Sequence, residues 1–309
     1  MSAPPAPLRR PDRARRPTRR QPDTRAAWAM LAPNALLVAV FLLLPLGWAV
    51  VLSFQAKRPF GPGRFTGLDN LVRLVGDDVF WRAVLNTVVF TAVTVPLTVV
   101  LGLALALLLD KAMPGRTVAR TIVYLPVVVS TVVVALVGLL LFDESIGIVN
   151  GVLADLGVGP VSWQSDGTLA MISVMVIVLW TRVGFALLVY LAALQDVDPD
   201  MLDAARVDGA TPWVVARRMI VPTLRPTTFF LVVVNMIWSF QIFDIVYVMT
   251  NGGPGYSTTM LVTYAYDQGF GPARNFGYGA TVGVVLFLLT LLVTLLQLAA
   301  NRRGDRGEV

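Results

Sequence analysis

Residues Asp203–Ala210 read DAARVDGA, and this short polar stretch lies between two long apolar segments of the chain. Alanines flank an Asp-Gly pair, which favours a sharp turn because glycine tolerates left-handed backbone angles. The region closes further along the chain at Val221, Pro222 and Pro226. Small residues at the corner of such a loop let a partner's backbone approach closely. The stretch therefore suits contact with another protein better than chemistry of its own.

The apolar residues are gathered into long blocks. The chain is 56% hydrophobic and 14% charged, whereas soluble domains have about 25% charged residues. A helix rises about 1.5 Å per residue, so about 20 residues cross a hydrocarbon core of about 30 Å. Backbone groups in lipid must pair internally, which makes such blocks helical. The sequence predicts an all-α polytopic membrane protein with six spans: Trp28–Phe54, Val84–Leu109, Val118–Phe142, Leu169–Leu194, Thr227–Met249 and Phe276–Ala300.

The basic residues predict the orientation of these spans. With the N-terminus inside, the cytoplasmic regions hold 18 of the 25 Lys and Arg residues, counting Arg120 at the edge of the third block. The outer regions hold six, none of them in the 143–168 connection, and the remaining one is Arg182 in the fourth block. Cytoplasmic loops carry the excess of Lys and Arg. Both termini are therefore expected in the cytoplasm.

The ends of the chain and its composition exclude some classes of functional site and partner. Residues 1–27 contain eight arginines and six prolines, a composition that predicts a disordered tail, interpretable as a topology signal or as a segment attracted to anionic membrane lipid. A six-helix domain at 28–300 follows, and then a short tail at 301–309. Cysteine and histidine are absent, which excludes disulfides and histidine-based metal or acid–base sites. The cytoplasmic arginines explain the positive net charge, so nucleic acid is not a predicted partner.

The 195–226 connection is predicted to form a helix–turn–helix. Asp198 and the proline after it are helix-starting residues, so a first helix is expected at Pro199–Val207 and should end at Gly209. A Thr-Pro pair repeats the start signal, and the second helix should end near Pro222. From these residues alone, the element is either a protein-docking loop or an amphipathic hairpin on the inner membrane surface.

The pattern at 203–222 resembles the cytoplasmic coupling loop, or EAA loop, of carbohydrate-type ABC importer permeases, and the resemblance covers about residues 28–300. In that family an acidic-Ala-Ala triplet precedes Asp-Gly-Ala, and a hydrophobic-Pro pair closes the motif. Asp203 replaces the usual Glu, while Ala216 and Met219 stand where an aromatic residue and Ile are common. The resemblance implies these contacts with a cytoplasmic ATPase: Asp203, Ala204, Ala205, Asp208, Gly209, Ala210 and Pro222.

The resemblance also implies a function and partners. A Gly-Gly-Pro run at 252–254 is similar to that of the first permease in maltose- and glycerol-phosphate-type importers. Such a permease sits in the bacterial inner membrane with a second homologous permease, two ATPase subunits and an extracytoplasmic solute-binding protein. It moves a sugar or sugar-like solute, such as an oligosaccharide, polyol or glycerol phosphate, by alternating access. The chain has no Gly-x4-Gly-Lys-Ser/Thr phosphate loop, so its partners would use ATP while it binds no cofactor or metal and has no catalytic residue.

Polar residues of the fourth and fifth blocks are candidates for a solute path. Asn235, Trp238 and Ser239 share a helix face at i, i+3 and i+4, and a charge such as Arg182 costs at least about 2.5 kcal/mol in mid-span. Two alternatives stay open: Arg182 as a structural pair with Asp244 or a neighbouring subunit's acid, and the Asn and Ser as interhelical hydrogen-bonding groups. In the resembled family the solute site lies on the helices that flank the loop, which implies a path through Thr181, Arg182, Asn235, Trp238 and Ser239.

Other functions are open on the sequence. Within the same class, a permease for amino acids, peptides or polyamines is the nearest alternative. An ion-coupled secondary transporter usually needs intramembrane acids, and Asp244 is the one candidate. A membrane enzyme needs a converging set of catalytic groups, and the scattered outer acids do not form a visible one.

Overall fold

A computed structural model describes residues 24–58, 60–110 and 114–306. Most of the predicted tail at 1–27, and the end of the second tail, therefore lie outside the described residues. The chain divides into two compact units, Met1–Trp48 and Ala49–Val309. The first is helical in its described part, with α1 at Thr24–Val38, a π-helical turn at Ala39–Leu43 and the beginning of α2, which covers Leu44–Ser53.

The second unit contains the remaining elements, and its helices position the candidate site. Gln55 pairs antiparallel with Phe65 in two very short strands. A further π-helical turn, Ala216–Ile220, lies within the connection between α8 and α12. The elements in chain order are β1 (Gln55–Ala56), β2 (Arg64–Phe65), α3 (Asp69–Val75), α4 (Asp78–Asp110), α5 (Arg116–Val128), α6 (Thr131–Leu141), α7 (Ile148–Asp155), α8 (Gly167–Leu194), α9 (Pro199–Val207), α10 (Pro212–Val215), α11 (Val221–Thr223), α12 (Arg225–Phe240), α13 (Asp244–Met249), α14 (Leu261–Phe270) and α15 (Phe276–Arg306).

Among the described residues, four helices are long and apolar enough to cross a membrane: Trp28–Ser53, Asp78–Asp110, Gly167–Leu194 and Phe276–Arg302. Two bent pairs qualify only when each pair is counted as one span. These are α5 with α6, bent by 105°, and Pro212–Thr223 with α12, bent by 67°. The structure is thus mostly helical with four to six candidate spans, and the number six stays a prediction.

The third apolar block is not the continuous helix that the sequence predicts. α5 ends at Val128, Val129 is extended with ψ of 143°, and Ser130 precedes the first residue of α6. A run of β-branched valines is stiff in a helix, which favours an extended residue here, and Ser130 is the N-cap residue of α6 without a side-chain capping bond. Hydropathy does not detect such a break, because the residues on both sides are equally apolar.

The fifth block, Thr227–Met249, is also interrupted. α12 ends at Phe240, and α13 begins only at Asp244. The carboxylate of Asp244 lies in the first turn of α13, where the helix dipole favours negative charge. The block therefore consists of a helix, a three-residue gap and a short second helix.

The segment that follows α13 contains several glycines, yet hydrogen bonds hold it in place. Thr258 and Thr259 are buried. The Thr259 hydroxyl donates to the Gly252 carbonyl at 2.9 Å, and Asn86 of α4 donates to the Thr259 carbonyl at 3.0 Å. The first of these bonds closes the segment on itself, and the second attaches it to α4 just before α14 begins.

Asp77 ties α14 and α15 to the beginning of α4. One of its carboxylate oxygens accepts the hydroxyls of Tyr264 and Tyr278, and the other accepts the N–H groups of Val79 and Phe80. Burial alone raises the pKa of the Asp77 carboxyl, but the hydrogen bonds together outweigh it and hold that pKa below its usual value. The ionised carboxylate thus fixes three helices at one end of the unit.

Close backbone packing joins α4 to α8, and Gly102 makes it possible. A Cβ added at Gly102 would lie 2.5 Å from the Ala186 Cβ and 3.2 Å from that residue's carbonyl carbon. Real Cβ atoms do not approach so closely. The two helices can therefore be this close only while residue 102 has no side chain.

We predict that Gly102→Ala destabilises the protein, because the added methyl group must push α4 away from α8. Such overpacking costs about 1–3 kcal/mol of unfolding free energy. Gly283→Ala in α15 is the matched control, since a Cβ there meets nothing within 4 Å. Thermal unfolding in mild detergent should give a lower midpoint for Gly102→Ala only. Equal midpoints for the two variants would contradict the packing.

Candidate functional site

A cavity of about 360 Å³ lies where the two helix breaks meet the middle of α8. Its lining comes from the α5–α6 break, the α12–α13 break, one face of α8 and Trp238 of α12. Its volume is within the range of small-molecule sites, which is about 300–1,000 Å³. Broken helices in a membrane expose backbone polar groups, so they suit a water-accessible cavity better than a lipid-facing surface.

Arg182 is the positively charged residue that lines this cavity. Its side chain lines the cavity although the residue is only 9% exposed. Its Nη1 donates to the Ser239 hydroxyl at 2.6 Å. Among the described residues no ion pair joins Arg182 to a carboxylate, and Asp244 lines the same cavity without pairing with it. The intrachain pair with Asp244 is therefore not formed, and the guanidinium is left with donors available to a ligand or a neighbouring subunit.

Asn235 and Ser239 lie behind the lining. Both are fully buried. The Ser239 hydroxyl donates to the Asn235 carbonyl at 2.8 Å while it accepts from Arg182, and the Asn235 amide donates to the Leu231 carbonyl at 2.9 Å. Ser239 of α12 thus positions the Arg182 side chain, and the Asn235 carbonyl in turn positions the Ser239 hydroxyl. The Asn235 Oδ1 atom is buried without a hydrogen-bond partner in the described part of the chain.

Thr181 and Trp238 both line the cavity, as does Phe185, which the sequence interpretation did not include. The Phe185 and Trp238 ring centroids are 5.2 Å apart, and Trp238 is 40% exposed. Phe185 follows Thr181 by four residues on α8, so helical periodicity was the signal that would have found it. The structure therefore brings polar donors and two aromatic faces together.

Gln241 and Asp244 line the same cavity. The helix ends at Phe240 and the chain turns there, so both residues belong to the break or follow it directly. The break thus adds an amide and a carboxylate to the polar groups of the cavity.

The second candidate site is the helix–turn–helix after α8. α9 covers Pro199–Val207, as predicted, and the Asp198 carboxylate caps it by accepting from the Asp200 N–H at 2.9 Å. Gly209 has φ of +81°. The Ala210 N–H bonds to the Ala205 carbonyl and the Gly209 N–H to the Arg206 carbonyl, which is the Schellman arrangement at a helix end. The corner is therefore rigid and depends on glycine.

The corner of this loop presents small and apolar residues to solvent. Asp203, Ala204, Asp208 and Gly209 are exposed, whereas Ala205, Ala210 and Pro222 are half-buried. Asp203 forms a 2.6 Å surface ion pair with Arg206. Two large apolar side chains outside the set of implied ATPase contacts are highly exposed, Val207 at 88% and Trp213 at 72%.

The other side of the loop packs against the ends of the long helices. Leu202 and Ile220 join an apolar cluster that contains Leu109 of α4, Leu194 of α8 and Leu231 of α12. The loop is thus fixed to the helices that carry Arg182 and its hydrogen-bonding partner. The loop therefore contacts α4, α8 and α12 through this cluster.

We predict that the cavity is open to water, and the absence of native cysteine allows a direct test. A cysteine that replaces Thr181 should react with a membrane-impermeant thiol reagent at least about tenfold faster than one that replaces Ser173, because only a water-exposed thiol ionises. Both residues are on α8, and Ser173 is fully buried. Labelling rates in membrane vesicles measure the difference. Equal rates at the two positions would rule out a water-filled cavity.

The chain matches a family of membrane proteins over most of its length. Residues 75–305 match the family described as binding-protein-dependent transport system inner membrane component. The chain is 35% identical over 280 residues to the lactose transport system permease protein of Rhizobium radiobacter, covering 89% of this chain and 93% of that protein. It is 32% identical over 281 residues to the trehalose/maltose transport system permease protein of Thermococcus litoralis, covering 91% and 95%.

A solved structure shares the fold. A chain of the bacterial alginate ABC transporter, crystallised in complex with its alginate-pentasaccharide-bound periplasmic protein, matches with a TM-score of 0.80 and 26% identity. The match covers 90% of this chain and 94% of that chain. Sequence and fold therefore agree on the same kind of protein.

Proposed function

Because the chain belongs to the family of binding-protein-dependent transport system inner membrane components, we propose that it is the permease of an ATP-driven sugar importer. The observation that carries the proposal is the direct connection between the two sites. α8 lines the cavity with Arg182 and runs into the exposed loop, and α12 leaves that loop and supplies Ser239 and Trp238. Movement of the loop therefore moves two sides of the cavity.

The mechanism follows from this connection. An ATPase subunit binds the corner at Asp203–Ala210 and carries it along when the ATPase pair closes on ATP. The loop packs on α4, α8 and α12, so the movement is a rigid-body shift of those helices and not a local bend. The shift opens the cavity to alternate sides of the membrane. ATP is hydrolysed by the separate ATPase subunits, and this chain forms part of the path by which the solute crosses the membrane.

The assembly contains three kinds of protein partner. A second homologous permease completes the wall of the path, two ATPases contact the cytoplasmic loops, and an extracytoplasmic protein delivers the solute. The solved relative is an ABC transporter in complex with a periplasmic protein, which supports this arrangement. The chain lies in the inner membrane with both termini in the cytoplasm, as the distribution of arginines predicts.

The solute is proposed to be a carbohydrate. The cavity combines aromatic faces, which suit the apolar C–H surfaces of a sugar ring, with Thr181, Arg182, Gln241 and Asp244, which suit its hydroxyls. Relatives are named for lactose, trehalose/maltose and sn-glycerol-3-phosphate transport, and the solved relative imports alginate. All of these are polyhydroxylated solutes.

We predict that changes at the corner of the loop separate ATP hydrolysis from transport. Replacing Ala204 and Ala205 together with Glu, or Gly209→Pro, should lower ATP-dependent uptake at least about tenfold. The cause is steric and electrostatic: two carboxylates block a close approach, and proline cannot adopt the φ of +81° at Gly209. Uptake of lactose, maltose, trehalose, glycerol 3-phosphate and alginate oligosaccharides is measured with the complete complex in proteoliposomes.

Ala273→Glu, an exposed position between α14 and α15, is the control for added charge. Its uptake and membrane insertion should match those of the unchanged protein. Full uptake by the corner variants would count against the coupling role. Uptake that needs an ion gradient but not ATP would instead favour a secondary transporter.

We predict that Arg182→Ala lowers uptake about tenfold without loss of the ATPase from the purified complex. A hydrogen bond that involves a charged group contributes about 1.5–3 kcal/mol, and the guanidinium is the charged donor that lines the cavity. Arg182→Lys keeps the charge and should lose less. If Arg182→Ala prevents assembly with the second permease, then its role is a structural pair between subunits.

A further inference from the structure

Five aromatic rings form a continuous series of contacts on one surface of the second unit. Phe276 of α15 contacts Phe270, which contacts Tyr266 of α14, and Tyr266 contacts both Tyr247 and Phe243. Neighbouring ring centroids are 5.0 to 5.5 Å apart. We call this series the aromatic ladder.

The ladder leads to the cavity at one end and to the outer surface at the other. Phe243 lines the cavity together with Trp238 and Phe185. Phe276 begins α15, which runs from the outer side to the cytoplasm in the proposed orientation. The ladder is therefore a row of aromatic rings between the outside and the solute cavity.

The ladder rings are not needed to fill the core. Phe270 is 67% exposed, Tyr266 38% and Tyr247 37%, and no ring of the ladder is a member of the buried apolar clusters found among the described residues. Tyr264 shows the contrast on the same helix, because it is buried and donates to Asp77. α14 thus has one tyrosine for packing and a separate aromatic pair, Tyr266 and Phe270, on its open side.

Charged and polar side chains beside the ladder indicate that this surface contacts water and not hydrocarbon. Asp244 precedes Tyr247 by one helical turn and is exposed, as is Gln241. A carboxylate that faced hydrocarbon would cost several kcal/mol, so such residues face a water-filled path. Aromatic residues that only anchor a protein at the membrane surface lie at one depth, whereas these rings run inward to a cavity.

We propose that the aromatic ladder is a binding track for the pyranose rings of a saccharide on its way from the outer surface to the cavity. The proposal rests on the proposed transport function and adds a second binding surface to it. Sugar C–H faces stack on the rings, while the Tyr247 and Tyr266 hydroxyls, Gln241 and Asp244 offer hydrogen bonds to sugar hydroxyls. A row of similar rungs holds successive sugar units without a strong preference for one position.

The test removes rings from the ladder and measures transport of maltotriose and lactose by the complete importer in proteoliposomes. Tyr266→Leu and Phe270→Leu should each lower the uptake of subsaturating maltotriose about tenfold, which corresponds to about 1.4 kcal/mol. The loss should be smaller for lactose, because a disaccharide spans fewer rungs. Tyr266→Phe and Phe270→Tyr keep the ring and should restore most of the lost uptake. Phe230→Leu is the control, a 49% exposed ring on α12 outside the ladder.

A direct binding measurement accompanies the uptake assay. Saturation-transfer NMR with maltotriose and the complex in nanodiscs should show contact with the sugar C–H protons, and each Leu variant should reduce it. Co-purification of the ATPase checks assembly. Should Tyr266→Leu fail to assemble, Phe270→Leu carries the test because its ring is the most exposed of the ladder.

The outcomes separate the ladder from the transport function. Normal uptake and normal NMR contact in the Leu variants, with uptake lost in Trp238→Leu, would overturn the ladder and leave the importer intact. Equal losses in the Leu variants and in the ring-keeping variants would also overturn it, since the rings would then act only through packing. Absence of saccharide uptake by the unchanged complex would remove the proposed function and the ladder together.

Discussion

Backbone N–H and C=O groups find no water in the hydrocarbon core of a membrane, so a chain can interrupt a helix there only where protein or an aqueous cavity covers the gap. This chain interrupts two apolar blocks, after Val128 and after Phe240, and both gaps line the cavity that holds Arg182. The cavity, its polar groups and the buried guanidinium all depend on that constraint. If the helices of these two blocks were straight, there would be no water-filled cavity beside Arg182.

Two helices connect the cavity to the loop between α8 and α12. The loop lies between α8 and α12 in sequence and packs on both, so the helices that carry Arg182 and Ser239 are the ones that the loop contacts. The hydrogen bond from Arg182 to Ser239 joins those two helices at the cavity itself. A shift of one helix relative to the other therefore changes the position of the guanidinium.

Local signals were readable from the sequence, and non-local ones were not. The bounds of α9 follow from Asp198, Pro199 and Gly209, whose effects are confined to neighbouring residues. The break at Val129 was missed because valine and leucine are equally apolar and hydropathy carries no information on backbone angles. Asn235 and Trp238 share a predicted helix face, yet only Trp238 lines the cavity, and Asn235 is fully buried behind it. A rotation of a few tens of degrees about the helix axis separates a side chain that lines the cavity from one that packs behind it, and the sequence does not give that rotation.

The central claim is that this chain is the path-forming subunit of a larger ATP-driven machine. The most direct measurement is to purify the tagged chain from its native membrane in mild detergent and to identify, with stoichiometry, the proteins that accompany it. The account predicts a second permease of similar length and two copies of a cytoplasmic ATPase per complex. A lone chain or a homodimer, under conditions that preserve known transporter complexes, would contradict it.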